Sequence, residues 1–370
     1  MEMLPYNMYE RYGDLLARYS LSIRPGDRVF VKSTFLAEPL LRGFYRAALR
    51  QGAATVEFDL SFSDQYRIYY ECATEDQLKF ISPVAKLRME EYDVYLVIRA
   101  PYNLREDASI SSEKSKIRRA ALADIHQTYF SRTATLDMRR SLCQFPTQAA
   151  AQNAGMSLEE YADFIFNATK LYEPDPVAAW RQLSEDQQHI VDRLNNATHI
   201  RYLAEHTDIS FSTEGRTWIN SDGQTNMPSG EVYTSPVEDS VQGHVHFTYP
   251  GIYMGHEVRG VTLQVKDGYI ESWSADQGMD FLDKIFSMEG TRRFGEAAIG
   301  TNYNIQRMTR NILFDEKIGG TIHMAIGQSY KQCGGKNNSS VHWDMITDMT
   351  ESGRIYADGA LIYENGKFLM

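Results

Sequence analysis

The sequence predicts an α/β protein in two parts: an N-terminal domain built on a helix-covered, mostly parallel sheet, and a C-terminal α+β domain rich in short strands. Three observations predict it. Strand-like and helix-like segments alternate through the first third, as β-α-β units do. From His199 onward the helical periodicity gives way to short strands and turns. At 370 residues the chain is long for one hydrophobic core and natural for two. The boundary is expected near residue 195, giving domains 1–195 and 196–370.

Taken in order, Tyr9 to Tyr19 carries apolar residues at helical spacing, and Pro25-Gly26-Asp27 turns the chain into the strand Val29-Phe30-Val31. Leu40 to Arg50 reads as a helix closed by Gly52 at its C-terminal cap, and Val56-Glu57-Phe58 as the next strand. Asp76 to Met89 reads as one helix, and Asp93 to Ile98 as a buried strand. Lys114 to about Asn196 reads as mainly helical, with Ser157 and Glu160 forming a capping box. In the second half, Ile209–Ser212, Val261–Val265 and Tyr269-Ile270 read as strands, and Asp267-Gly268 and Asn365-Gly366 as two-residue hairpin turns.

Composition narrows the function. The hydrophobic share is 43%, the charged share 24% and the net charge −11. That sign is wrong for a nucleic-acid partner, whose phosphates demand a basic surface. No stretch approaches the length of a membrane helix, and Met1 to Tyr6 shows no basic region followed by an apolar run. The cysteines Cys72, Cys143 and Cys333 are odd in number and widely spaced. They predict neither a disulfide framework nor a cysteine metal site, and with the missing leader they point to the cytoplasm. No glycine-rich phosphate loop opens any helix, which disfavours nucleotide binding.

Chemistry concentrates in the C-terminal half. Glu231 follows a Pro-Ser-Gly turn at the start of a β-like run, and Glu296 stands between Gly295 and Ala297 in a small, apolar setting. A buried carboxylate without a partner is costly, so each is either solvated or set against a cation. His323 lies in an apolar strand-like run, with Tyr330 seven residues on. In Ser340-Val341-His342-Trp343-Asp344, strand alternation projects His342 and Asp344 from one face. Each feature alone has an ordinary structural explanation. Together, two Glu, two His and one Asp make a mixed nitrogen and oxygen set suited to zinc, cobalt or manganese, with magnesium also admitted. Five ligands exceed the three typical of one catalytic zinc and suffice for two divalent ions sharing a carboxylate. His244, His246 and His256 sit in polar surroundings and are set aside, and Cys333 is taken as a plain thiol.

The segments Asn226–Pro236, Pro236–Ser240, Gly295–Asn302, Leu313–His323 and Asn338–Asp344, with Pro146-Thr147-Gln148 and Ala154–Ser157, closely resemble the aminopeptidase T and aminopeptidase S family of bacterial metallopeptidases. The likeness runs from the N-terminal helix to the final hairpin. It implies metal ligands at Glu231, Glu296, His323, His342 and Asp344, with Tyr330 as the active-site phenol. It also implies a two-domain subunit in a homodimer. The mechanism expected for such a site has peptide substrates with a free N-terminus, a Tyr330 hydroxyl that stabilises the oxyanion, and a carboxylate, Glu296 or Glu231, that moves the proton. Two readings compete: a two-metal hydrolase of another amide or ester, and a non-catalytic metal-binding protein.

Overall fold

The computed structural model describes residues 5–106 and 108–369; Met1 to Leu4, read above for a leader, lie outside it. Contacts divide the chain into two compact units: Met1–Ala179 with Gly223–Pro228, and Trp180–Asp222 with Ser229–Met370. The division falls within the long helix Pro176–Asn195.

The first unit is the expected parallel sheet. Helix α1 (Pro5–Leu15) leads to strand β1 (Arg28–Thr34), helix α2 (Glu38–Arg50), strand β2 (Thr55–Ser61), strand β3 (Val94–Arg99) and strand β4 (Arg139–Gln144). The order is β2-β1-β3-β4, completed by the short strand Asn226–Met227, and every pairing is parallel. Val29, Val31, Val94, Leu96 and Ile98 are buried together on one face of this sheet. Gly52 closes α2 at φ +91, a left-handed conformation that a side chain would strain. Ser157 and Glu160 complete the predicted capping box.

One local expectation is corrected and one, the mainly helical stretch beyond Lys114, holds with one strand added. The helix expected over Asp76 to Met89 is two helices, Glu75–Lys79 and Pro83–Glu91. Proline cannot donate the hydrogen bond that continuity would need, so Pro83 starts a new helix. The stretch expected to be mainly helical beyond Lys114 contains β4. Its sequence, Arg139-Arg140-Ser141-Leu142-Cys143-Gln144, lacks the apolar run that marks a buried strand, because its buried side chains are small and polar.

The second unit holds two larger antiparallel sheets. One has eight strands, and its hairpins turn at Asp267-Gly268 and Asn365-Gly366 with positive φ at all four residues, as such turns demand. The other has five strands: His342–Asp348, Thr321–Gly327, Phe294–Gly300, Glu231–Thr234 and Ile219–Ser221, in that spatial order. One face of this second sheet is apolar core, where Val232, Ala297, Ile299, Ile322, Met324, Ile326, Trp343 and Met345 are buried. The residues alternating with them supply the candidate site.

Candidate metal centre

Register brings the candidate residues together. Gly300 pairs with Glu231, Ala298 with both Tyr233 and His323, Glu296 with Ala325, Ala325 with Asp344, and Gly327 with His342. Directly paired residues in an antiparallel sheet project from the same face. Glu231, Glu296, His323, His342 and Asp344 therefore share one face, the one opposite the apolar core. Between them lie Ala298, Gly300, Ala325 and Gly327, whose minimal side chains leave the larger polar groups room to converge. Gly230 enters the Glu231 strand at φ +117, and a Cβ there would stand 2.6 Å from Asn302 Cβ.

The distances are those of a converging polar cluster. His323 Nε2 lies 3.5 Å from Glu231 Oε2 and 3.7 Å from Glu296 Oε1, too long for hydrogen bonds. His342 Nε2 lies 3.0 Å from Glu296 Oε2 and 3.5 Å from Asp344 Oδ1. The two oxygens of Glu296 thus face different histidines. Two overlapping ligand groups result, Glu231–Glu316–His323 and Glu296–His323–Asp344, each with donor atoms within 4.8 Å of one another. Glu231 is 6% exposed, Glu296 4% and His323 0%.

The tautomer of His342 follows from its neighbour. Its Nδ1 lies 2.7 Å from the Gln328 carbonyl oxygen, which can only accept, so Nδ1 carries the proton. Nε2 then presents a lone pair to the cluster in the neutral ring. Tyr330 approaches the same nitrogen, its hydroxyl 3.3 Å away, and its ring packs against Tyr233 and His342 at centroid distances of 5.4 and 5.0 Å.

Electrostatics favour cations here. Burial alone lowers the His342 pKa, but the Asp344 and Glu296 carboxylates outweigh it and push it up to about 12. His323 is likewise lowered by burial and raised more strongly by Glu296, Glu231 and Asp344, reaching about 9. The Glu296 carboxylate, ahead of burial, drives the Tyr330 phenol well above its ordinary value. Burial would raise the Asp344 carboxyl, yet His342 holds it well below the usual range. The cluster demands positive charge, which protons or divalent ions can meet. Glu231 Oε2, both ring nitrogens of His323 and Asp344 Oδ1 are buried without a hydrogen-bond partner. Orphaned buried donors of this kind fit a metal site, since each would otherwise bear its full desolvation cost.

Glu316 and Lys317 were not singled out by sequence reasoning, although they belong to the cluster. They fall within the Leu313–His323 segment that carries the family resemblance, without a role assigned there. Lys317 is 0% exposed, and its ammonium contacts Glu231 Oε1 at 3.3 Å and also Glu316 Oε1. Burial raises the Glu316 carboxyl, and Lys317 only partly offsets this. The residues set aside lie elsewhere: His246 Nδ1 meets Thr262 Oγ1 at 2.8 Å, and His256 stacks on Phe281. Cys333 is buried, and burial pushes its thiol up to about 12.

Comparison with known proteins identifies the family. The model of the thermophilic metalloprotease (M29) family matches residues 6–368. Aminopeptidase 2 of Geobacillus stearothermophilus is 30% identical over 87% of this chain and 83% of its own. Aminopeptidase PepS of Streptococcus thermophilus is 26% identical over 98% of both chains. The solved structure of wild-type AmpT from Thermus thermophilus matches with a TM-score of 0.83, over 98% of this chain and 99% of that one, at 21% identity, a likeness of fold. The chain belongs to the thermophilic metalloprotease (M29) family of peptidases.

Proposed function

We propose that the chain is a metal-dependent aminopeptidase with a dinuclear centre held by Glu231, Glu296, His323, His342 and Asp344. The observation that carries this reading is the convergence of buried ligand atoms without hydrogen-bond partners, Glu231 Oε2, His323 Nε2 and Asp344 Oδ1, beside His342, whose Nε2 turns toward the same carboxylates. Glu296, with one oxygen toward each histidine, would help to hold the ions on both sides. The names of the matched relatives support the substrate class, peptides with a free N-terminus. Mixed nitrogen and oxygen donors suit zinc, cobalt or manganese.

Bound there, divalent ions supply Lewis acidity toward a carbonyl oxygen and bring the pKa of a water from about 15.7 to about 7. The protein's own groups do the rest. Tyr330, its phenol kept protonated by the surrounding carboxylates, donates a hydrogen bond to the oxyanion that forms at the scissile carbonyl. Proton transfer to the leaving amine falls to Glu296 or to Glu316, whose carboxyl burial holds up. The free α-amine of a substrate would bind an ion or a nearby carboxylate, which restricts cleavage to the first residue. The same reading includes a homodimer, supported by the family resemblance, and a reducing cytoplasm, supported by three free cysteines.

The test is hydrolysis of short peptides before and after chelation, with zinc, cobalt or manganese restored and the bound metal counted. Release of single N-terminal residues, loss on chelation, recovery on restoration and two ions per chain are expected. Cleavage of N-acetylated peptides at an equal rate, or full activity without metal, would refute the proposal.

A further inference from the structure

Glu231 is engaged from one side only. Its Oε1 meets the Lys317 ammonium, while its Oε2 is buried without a hydrogen-bond partner and faces His323. Lys317 cannot give up this contact for water, because it is 0% exposed and its other anionic neighbour is Glu316. An ammonium so placed must keep its carboxylates or stand as an uncompensated buried charge.

Backbone bonds hold the two residues in relation. Lys317 O accepts from Asn302 N at 3.0 Å, and the neighbouring Thr301 N donates to Gly230 O at 2.8 Å. The segment 301–302 thus ties the Lys317 turn to the start of the Glu231 strand. Charge points the same way. Glu231, Glu296, Glu316 and Asp344 bring four negative charges to the cluster when ionised, and Lys317 contributes the fixed positive one.

A carboxylate can bind an ion through one oxygen or two. We infer that Lys317 is a positioning residue that reserves Glu231 Oε1, so that Glu231 offers a bound ion Oε2 alone. This rests on the metal-centre reading above. The effect is to keep the coordination number low on the Glu231 side. That favours ions content with about four ligands, such as zinc, over ions that gather about six to eight oxygens, such as calcium. Lys317 touches no substrate in this role.

Cobalt provides the test, because its visible absorption is strong in four-coordinate sites and weak in six-coordinate ones. The Lys317→Met chain, loaded with Co²⁺, is expected to lose visible intensity relative to the native cobalt form at equal metal content, as Glu231 Oε1 becomes free to bind. An unchanged spectrum would overturn the inference. A crystal structure of the native cobalt form reads the same point without any substitution. One Co–O bond from Glu231, with Lys317 Nζ still beside Oε1, supports the inference, and two bonds from Glu231 or a withdrawn Lys317 would refute it. Native chain that binds no cobalt at these side chains would instead end the metal-centre reading itself.

Discussion

At the scale of single residues, the site divides into groups that the sequence displays and groups that it hides. His342 and Asp344 were legible because strand alternation projects i and i+2 together, whereas Glu231 and Glu296, ordinary when taken singly, stood out only through the combined ligand set and the family resemblance. Lys317 was not legible. Nothing in Asp315-Glu316-Lys317 distinguishes a solvated turn from one folded inward, and only tertiary structure excludes water from it. Tyr330 gives the sharpest residue-level prediction. Tyr330→Phe keeps the ring packing on Tyr233 and His342 while removing the hydroxyl. Loss of an oxyanion donor costs about 10²–10³ in turnover. We expect kcat to fall on that order with metal content unchanged. Steady-state kinetics together with a metal count check it, and undiminished kcat would exclude the phenol from the reaction.

At the scale of elements, Tyr330 and Gln328 lie on the connection between the strands Thr321–Gly327 and His342–Asp348, and one carboxylate anchors that connection. Glu238 accepts from Lys336 N at 2.6 Å through Oε1 and pairs with Arg216 through Oε2. Burial tends to raise its pKa, but the Lys336 N–H and the Arg216 guanidinium together hold it below the ordinary 4.5. A depressed folded-state pKa stabilises above the unfolded value, and the contribution is lost as pH falls through the folded one. Glu238→Gln is therefore expected to destabilise the chain by about 1–3 kcal/mol at neutral pH. The difference from the native chain should shrink as pH drops below about 4.5. Denaturant titrations at several pH values measure this, and a penalty independent of pH would contradict it. Elements were most legible where a rule of local chemistry applies, as in the Ser157 capping box and the Asp267-Gly268 turn. They were least legible where tertiary pairing decides, as in β4, whose polar sequence becomes a strand because β3 and Asn226–Met227 flank it.

At the scale of the whole molecule, the alternation of segments and the shift at His199 were enough to predict an α/β chain with a strand-rich second half. The sheet register was not readable from sequence, since pairing partners are set by long-range packing. Metal should couple to global stability. An ion that binds the folded chain at about 100 times its dissociation constant adds about 2.7 kcal/mol per site. Removing metal should therefore lower the unfolding temperature, and re-addition of zinc or cobalt should restore it. Scanning calorimetry with and without chelator decides this, and an unchanged midpoint would count against ions bound at the buried cluster. The five donors also stand on four neighbouring strands of one sheet, all facing away from the apolar side. During synthesis Glu231 leaves the ribosome long before Asp344, and a one-residue misalignment of any strand would bury its donors in oil. In the proposed centre the Glu296–His323–Asp344 group is complete only once the His342–Asp348 strand has paired, so ion uptake by that group would double as a report that the sheet has closed.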